Sequence, residues 1–338
     1  MTDGPTTVQL GVYIKSLSAI SEKTMDYSVD MYLRQYWTDE RLKFQPESNQ
    51  TKNKVIKLQD GTWDKIWVPD LFLRNEKVGD FHIVSTPNRL LRIYSSGKVW
   101  YAIRLTATLS CQMRLDSFPF DSQTCPLMME SFGYSTSDIK FEWLDSPIRM
   151  EQQEMPPFKL IKHSLVDCSA NYSTGSYPCL QLDFHLHRVG GFYMLQFFIP
   201  TALLVMLSWV AFWLNVDAVT PRMSIGMIMV LTITRCNELL LLPKVSYIKA
   251  IDIWLLICLL FTCGALLESA MVTCICDNDH LKAKVNPILQ FHKMARTHRH
   301  LMSEKRKAER IDYIARILFP LCFIIVNIIY WTVYFVKR

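Results

Sequence analysis

The sequence of 338 residues has little charge and no recognisable catalytic or phosphate-binding motif. Only 20% of residues are charged whereas 50% are hydrophobic, a balance that excludes intrinsic disorder. No nucleophile–base pair, phosphate loop or metal constellation stands out, so the usual grounds for an enzyme are missing. No Cys-x-x-Cys pair has a histidine at ligand spacing, so neither a zinc site nor any other cofactor is expected. Ten cysteines are too few for a disulfide scaffold in a chain this long, so their positions matter more than their number. The net charge of +6 is modest and makes no case for nucleic acid. Met1–Thr7 (MTDGPTT) has no apolar core and is not a signal peptide, so the start is read as a mature or engineered N-terminus.

What the chain does have is long apolar runs, all of them after Arg188. A bilayer core needs about 20 helical residues. Phe192–Leu214, Ile251–Cys276 and Ile314–Val336 meet that need, and Pro221–Leu242 does so more weakly. The weaker stretch holds Ser224, Thr232, Thr234, Arg235, Asn237 and Glu238. Polar groups at membrane depth line a bundle interior or a water path, which makes this the pore-lining candidate; the alternative is a re-entrant or interfacial helix. The connection 277–310 carries Lys282, Lys284, Lys293, Arg296, Arg299, Lys305, Arg306, Lys307 and Arg310. By the positive-inside rule it is cytoplasmic, which leaves residues 1–190 outside a plasma membrane crossed several times.

Within residues 1–190 short alternating runs are broken by turn residues, as in Tyr27–Leu33, Val99–Thr108 and Leu180–His187. This spacing predicts an all-β, immunoglobulin-like sandwich, followed in 191–338 by a four-helix transmembrane bundle. Sequons at Asn49 and Asn171 suit an exposed domain. Cys111 and Cys125 enclose 13 residues and Cys168 and Cys179 enclose ten, so two disulfides account for the four outer cysteines. The others lie in or beside the apolar runs, where cysteine acts as a small hydrophobe. His185-x-His187 on one strand face offers a modulatory metal site or, on the plainer reading, two solvated histidines.

The loop between Cys111 and Cys125, with Phe118-Pro119-Phe120-Asp121, followed by four membrane segments, resembles the pentameric Cys-loop ligand-gated ion channels. The second cysteine pair and the stretches MDYSVDMYLRQYW, IWVPDLFLRNEK, ESFGY and LPKVSYIKAIDIW resemble the glycine-receptor and glutamate-gated chloride branch. The resemblance implies a homopentamer, each chain having four further subunits as partners besides membrane lipid, a small-molecule agonist and a permeant ion, chloride. It places agonist between neighbouring outer domains. One face would present Phe72, Glu130, Ser131, Phe132, Tyr134, Tyr172, Thr174 and Tyr177; the neighbour would offer Tyr32, Arg34, Arg92, Ala102 and Arg104. An aromatic cage attracts an ammonium and an arginine fork suits a carboxylate, which together describe an amino-acid zwitterion. Three residues depart from the pattern: Ala102 replaces a serine, Arg74 stands where a small residue is usual, and Asn171 puts a sequon beside Tyr172, where a sugar would crowd the pocket.

The same resemblance assigns Glu22, Asp121, Arg188, Pro243, Lys244 and Tyr247 to coupling between binding and gating. On a helix from Arg222, steps of three and four collect Ser224, Ile228, Leu231, Arg235, Leu239 and Leu242 on one face, and rings of Ile228 and Leu231 would shut a pore by dewetting. Ala218–Arg222 lacks the glutamate ring of cation channels, so Arg222 and Arg235 are expected to favour anions, unless Glu238 neutralises Arg235. Cation-conducting or non-conducting receptors of the same fold are the alternatives.

Overall fold

The structure, a computed structural model, describes residues 4–45, 55–57, 65–151, 156–239, 245–284 and 290–336. It divides into two compact units: Met1–Arg114 with Ser122–Arg188, and Leu115–Asp121 with Val189–Arg338.

The first unit is built of strands. In chain order they are β1 Thr6–Ser21, β2 Asp26–Thr38, β3 Val55–Lys57, β4 Leu71–Leu73, β5 Glu76–Phe81, β6 Arg89–Tyr94 and β7 Lys98–Ser110. There follow β8 Ser122–Ser131, β9 Ile139–Met150, β10 Phe158–Asp167, β11 Ala170–Tyr172, β12 Gly175–Tyr177 and β13 Cys179–Arg188. One sheet runs β3-β6-β7-β2-β1-β9 with β5 also on β7; the other runs β10-β13-β8-β4. The pair β1–β9 is parallel, unlike the antiparallel hairpins around it.

Strict alternation makes the sandwich. In β2 every second residue is buried, Tyr27, Val29, Met31, Leu33 and on to Trp37, and β13 buries Leu182, Phe184 and Leu186 in the same rhythm. Each such side chain contributes roughly 1.5–3 kcal/mol by leaving water. Tyr27 meets Phe184 edge-on at 6.1 Å, joining the two sheets. Its hydroxyl, which burial would leave unpaired, donates to the Pro126 carbonyl at 2.9 Å. Disulfides Cys111–Cys125 and Cys168–Cys179 are both formed.

Among the described residues the second unit holds four helices: α1 Gly191–Trp213, α2 Val219–Leu239, α3 Ala250–Lys284 and α4 Gln290–Val336. The basic connection expected between the last two membrane segments is thus largely helical, an extension of α3 and α4. A wide turn at Met194–Phe198 precedes Pro200, whose ring and missing N–H a regular turn would not accommodate. Among the described residues three stretches are long and apolar enough to cross a membrane, Gly191–Trp213, Ala250–Ile275 and Lys305–Tyr334. The α2 segment is diluted by its polar residues and does not reach that apolarity among the described residues.

On α3 the fully buried stripe is Ile251, Cys258, Ala265 and Val272, a spacing of seven that keeps one face inward. Gly226 lets α2 approach it: a Cβ there would stand 2.6 Å from Leu266 Cδ1 and 3.2 Å from Leu266 Cβ. On α4 Ile317, Leu321, Ile324 and Ile328 stay exposed, an apolar surface suited to lipid tails. Aromatics from three helices, Phe198, Trp254, Tyr330 and Trp331, pack with ring centroids 5.2–6.3 Å apart, and Phe120 of the Leu115–Asp121 segment joins them through Phe198 and Trp331.

Candidate functional site

Two groups of candidate residues form, one on the outward face of each sheet. On the four-stranded sheet, β4 and β8 register Phe72 opposite Glu130. Phe132, in the turn that follows, meets Phe72 edge-on at 5.7 Å and is 78% exposed. Ser131 donates to Asp70 Oδ1 at 2.6 Å, and the other oxygen of Asp70 accepts from the Gly133 N–H at 2.5 Å. Trp67 donates to the Tyr134 hydroxyl at 2.9 Å and packs against its ring. Trp67 and Asp70 thus hold the turn that carries Phe132 and Tyr134, although neither was among the expected site residues. Their only sequence signal is their place in the stretch IWVPD.

The hairpin β11–β12 carries the remaining aromatics. Tyr172 and Tyr177 lie 5.8 Å apart, and the Tyr177 hydroxyl bonds to Thr174 at 3.1 Å. In the hairpin register Asn171 faces Ser176, while Tyr172 pairs with Gly175 and Ala170 with Tyr177. Neighbours along a strand point to opposite sides, so Asn171 and Tyr172 do not share a face. A sugar on Asn171 would project away from the two tyrosines, contrary to the crowding expected from adjacency in sequence.

Arg74, the unexpected cation, is part of this group. Its Nε lies 3.4 Å from Glu130 Oε2, and its Cζ lies 6.0 Å from the centre of the Tyr172 ring. Glu130 is buried, with a side chain only 4% exposed.

On the seven-stranded sheet the ladders place Tyr32 opposite Arg104, Arg34 opposite Ala102, and Arg92 opposite Trp100. These positions share the outward face, because the intervening Leu33, Leu91 and Val99 are buried in the core. Arg104 is already engaged: its Nε and Nη2 bond to both oxygens of Asp30 at 3.1 and 2.7 Å. That pairing holds the Asp30 carboxyl below its usual range, against the smaller opposing effect of partial burial. The expected fork therefore reduces to Arg34 and Arg92, which have no carboxylate partner among the described residues. Arg34 lies over Tyr13 at 5.6 Å and Arg92 over Trp100 at 4.7 Å, with Trp100 stacked on Tyr36. No contact joins the two groups within one chain among the described residues.

His185 has both ring nitrogens beside hydroxyls, Thr124 at 3.1 Å and Ser164 at 2.8 Å, and His187 Nδ1 lies 3.0 Å from Ser122. These contacts engage both ring nitrogens of His185 and Nδ1 of His187.

Of the coupling candidates, Glu22 and Arg188 form an ion pair, with the Arg188 guanidinium fully buried over Phe158 at 4.2 Å. Asp121 is buried and falls in the helical unit, where the Tyr247 hydroxyl accepts from the Leu115 N–H at 3.0 Å. Pro243, Lys244, Leu242 and Asn49 lie outside the described residues, as does the side chain of Leu239.

On α2, Arg222, Gly226 and Ile233 are buried against the rest of the unit. At 100° per residue the expected stripe Ser224, Ile228, Leu231 and Arg235 is centred about 190° away, on the side its own subunit leaves uncovered. Ile228 and Leu231 are 58% and 65% exposed. Arg222 is therefore not on the stripe, contrary to its expected place in the pore field. Its guanidinium is fully buried, donating to both oxygens of Asp312 at 2.9 and 2.6 Å with Glu268 at 3.6 Å.

A β-sandwich followed by helices long and apolar enough to cross a membrane is the architecture of a membrane protein with a domain outside the bilayer. Residues 1–189 match the neurotransmitter-gated ion-channel ligand binding domain, and residues 197–304 match the neurotransmitter-gated ion-channel transmembrane region. The chain belongs to the neurotransmitter-gated ion-channel family: it is a ligand-gated channel subunit with an extracellular ligand-binding domain, from a family of channels and not of enzymes.

Proposed function

We propose that five copies of this chain form a ring, that a small-molecule agonist bearing a carboxylate binds between neighbouring outer domains, and that binding opens an anion-selective pore lined by α2. The reading places the chain in the glycine-receptor and glutamate-gated chloride branch. The observation that carries it is the pair of half-sites on outward faces of different sheets, one aromatic and acidic around Phe132 and Glu130, the other cationic around Arg34 and Arg92. Each half is incomplete alone, and a second copy supplies the other half. The uncovered stripe of α2 supports a water path enclosed by several subunits, since Ser224 and Arg235 do not suit lipid.

Anion preference rests on the lack of an acidic residue in Ala218–Arg222 and on Arg235 in the stripe. Cation conduction is the second reading, favoured by the withdrawal of Arg222 into its pair with Asp312. Two measurements test the proposal. Native mass in detergent is expected at five times 39.4 kDa plus glycans. Currents evoked from membranes holding the chain alone are expected to reverse with the chloride gradient; a monomer, or reversal with sodium, refutes the corresponding part.

A further inference from the structure

We propose that the aromatic half-site is already occupied by its own cation, Arg74, and that its ligand is a small dicarboxylate without an ammonium group. The inference rests on the interfacial site just proposed and specifies the chemistry of its ligand.

An aromatic cage with a buried carboxylate would recognise an ammonium, and this face has both parts in Tyr172 and Glu130. The local backbone brings a guanidinium between them. Phe72 and Arg74 are two residues apart on an extended segment, and the Arg74 N–H continues the ladder to the Met128 carbonyl at 3.0 Å. Both side chains therefore emerge on the side that carries Glu130. Among the described residues Glu130 Oε2 is buried without a hydrogen bond, and the Arg74 guanidinium at 3.4 Å offsets its charge. On the other side the same guanidinium lies 6.0 Å from the Tyr172 ring. A ligand ammonium entering here would meet a like charge and compete for a carboxylate and a ring already engaged.

The Arg74 side chain is 39% exposed, and its Nη groups make no hydrogen bond among the described residues. A guanidinium carries five N–H donors in a planar fork matched to a carboxylate. The opposing half-site offers Arg34 and Arg92, also without carboxylate partners among the described residues. A ligand bridging the two halves therefore meets guanidinium at both ends. This replaces the amino-acid zwitterion expected from the aromatic residues alone.

The test is a thermal-shift and fluorescence titration of the detergent-purified assembly with straight-chain dicarboxylates from malonate to adipate. Each is matched to the ω-amino acid in which one carboxylate becomes an ammonium, glutarate against 4-aminobutanoate for example. The best dicarboxylate is expected to bind at least tenfold more tightly than its amino counterpart, and Arg74→Gln, which keeps most of the side-chain volume, is expected to reduce that ratio at least tenfold. A parent protein that prefers the amino compounds, that binds no dicarboxylate, or whose preference survives Arg74→Gln overturns the inference. Arg92→Gln separates it from the reading beneath it. Binding weakened by Arg92→Gln but not by Arg74→Gln leaves the interfacial site standing and removes only the dicarboxylate; binding indifferent to Arg92→Gln removes the interfacial site as well.

Discussion

Arg222 and Asp312 lie 90 residues apart in sequence and meet in two hydrogen bonds, both side chains almost wholly buried. The pair fastens α2 to α4 within one subunit, on the face of α2 that turns away from its exposed stripe. Removing one partner of a buried pair costs about 3–5 kcal/mol when the other charge is left uncompensated; here Glu268, 3.6 Å from Arg222 and without the paired hydrogen bonds, offsets only part of that loss. Asp312→Asn should therefore sharply reduce the yield of assembled receptor at the cell surface, by biotinylation. An Arg222→Met, Glu268→Met, Asp312→Leu triple change removes all three buried charged groups and should recover most of that yield. An Asp312→Asn receptor that assembles normally would show the pair to be dispensable.

Substitution in the stripe tests the gate. Threonine at Ile228 or Leu231 adds a hydroxyl in every subunit, which eases wetting of an apolar constriction and favours the open state. Spontaneous current without ligand is expected from each change, and more from both together. A double variant present at the surface and silent in every condition would place the gate elsewhere.

Arg104 holds Asp30 in its ionised form, and this has a pH signature. The folded Asp30 carboxyl lies below its ordinary range. Its stabilisation is therefore complete above the unfolded value of about 3.9 and fades as pH falls through the lower, folded value. Arg104→Gln should lower the melting temperature of the outer domain at pH 7, with the difference from the parent shrinking below about pH 4. A difference that stays constant down to pH 3 would mean that Arg104 stabilises by packing on Tyr32 and not through the Asp30 charge.

Glycosylation at Asn171 can be tested apart from ligand recognition. Asn171→Gln should remove one mobility step after expression in eukaryotic cells. Because Asn171 faces Ser176 and not the tyrosine side of the hairpin, ligand affinity should change by no more than about threefold, under 1 kcal/mol. A tenfold gain in affinity on removing the sugar would restore the crowding argument.

Local pattern carried much of this architecture. The alternation of β2 and β13 reports a half-buried sheet because the strand period of two is short and unambiguous. On α2 the described members of the expected stripe, Ser224, Ile228, Leu231 and Arg235, recur at helical spacing on the side their own subunit leaves uncovered, although apolar and polar residues mix on both sides. What local pattern misses is the partner. Nothing around Arg222 announces Asp312, and nothing around Arg104 announces Asp30, so from sequence alone both arginines look like available charges. The parallel pairing of β1 with β9 is likewise a long-range choice. Asn171 and Tyr172 show the converse: they adjoin in sequence, yet the strand turns such neighbours to its two sides.

Gly226 sits almost diametrically across α2 from Ile228. If the stripe lines the water path, the calibre of that path is set from behind, by how closely the helix can lean on Leu266. A single methyl group at position 226 would never touch a passing ion. It would act as a shim, displacing α2 inward unless Leu266 yields, and in the proposed ring the displacement would be applied from every side at once.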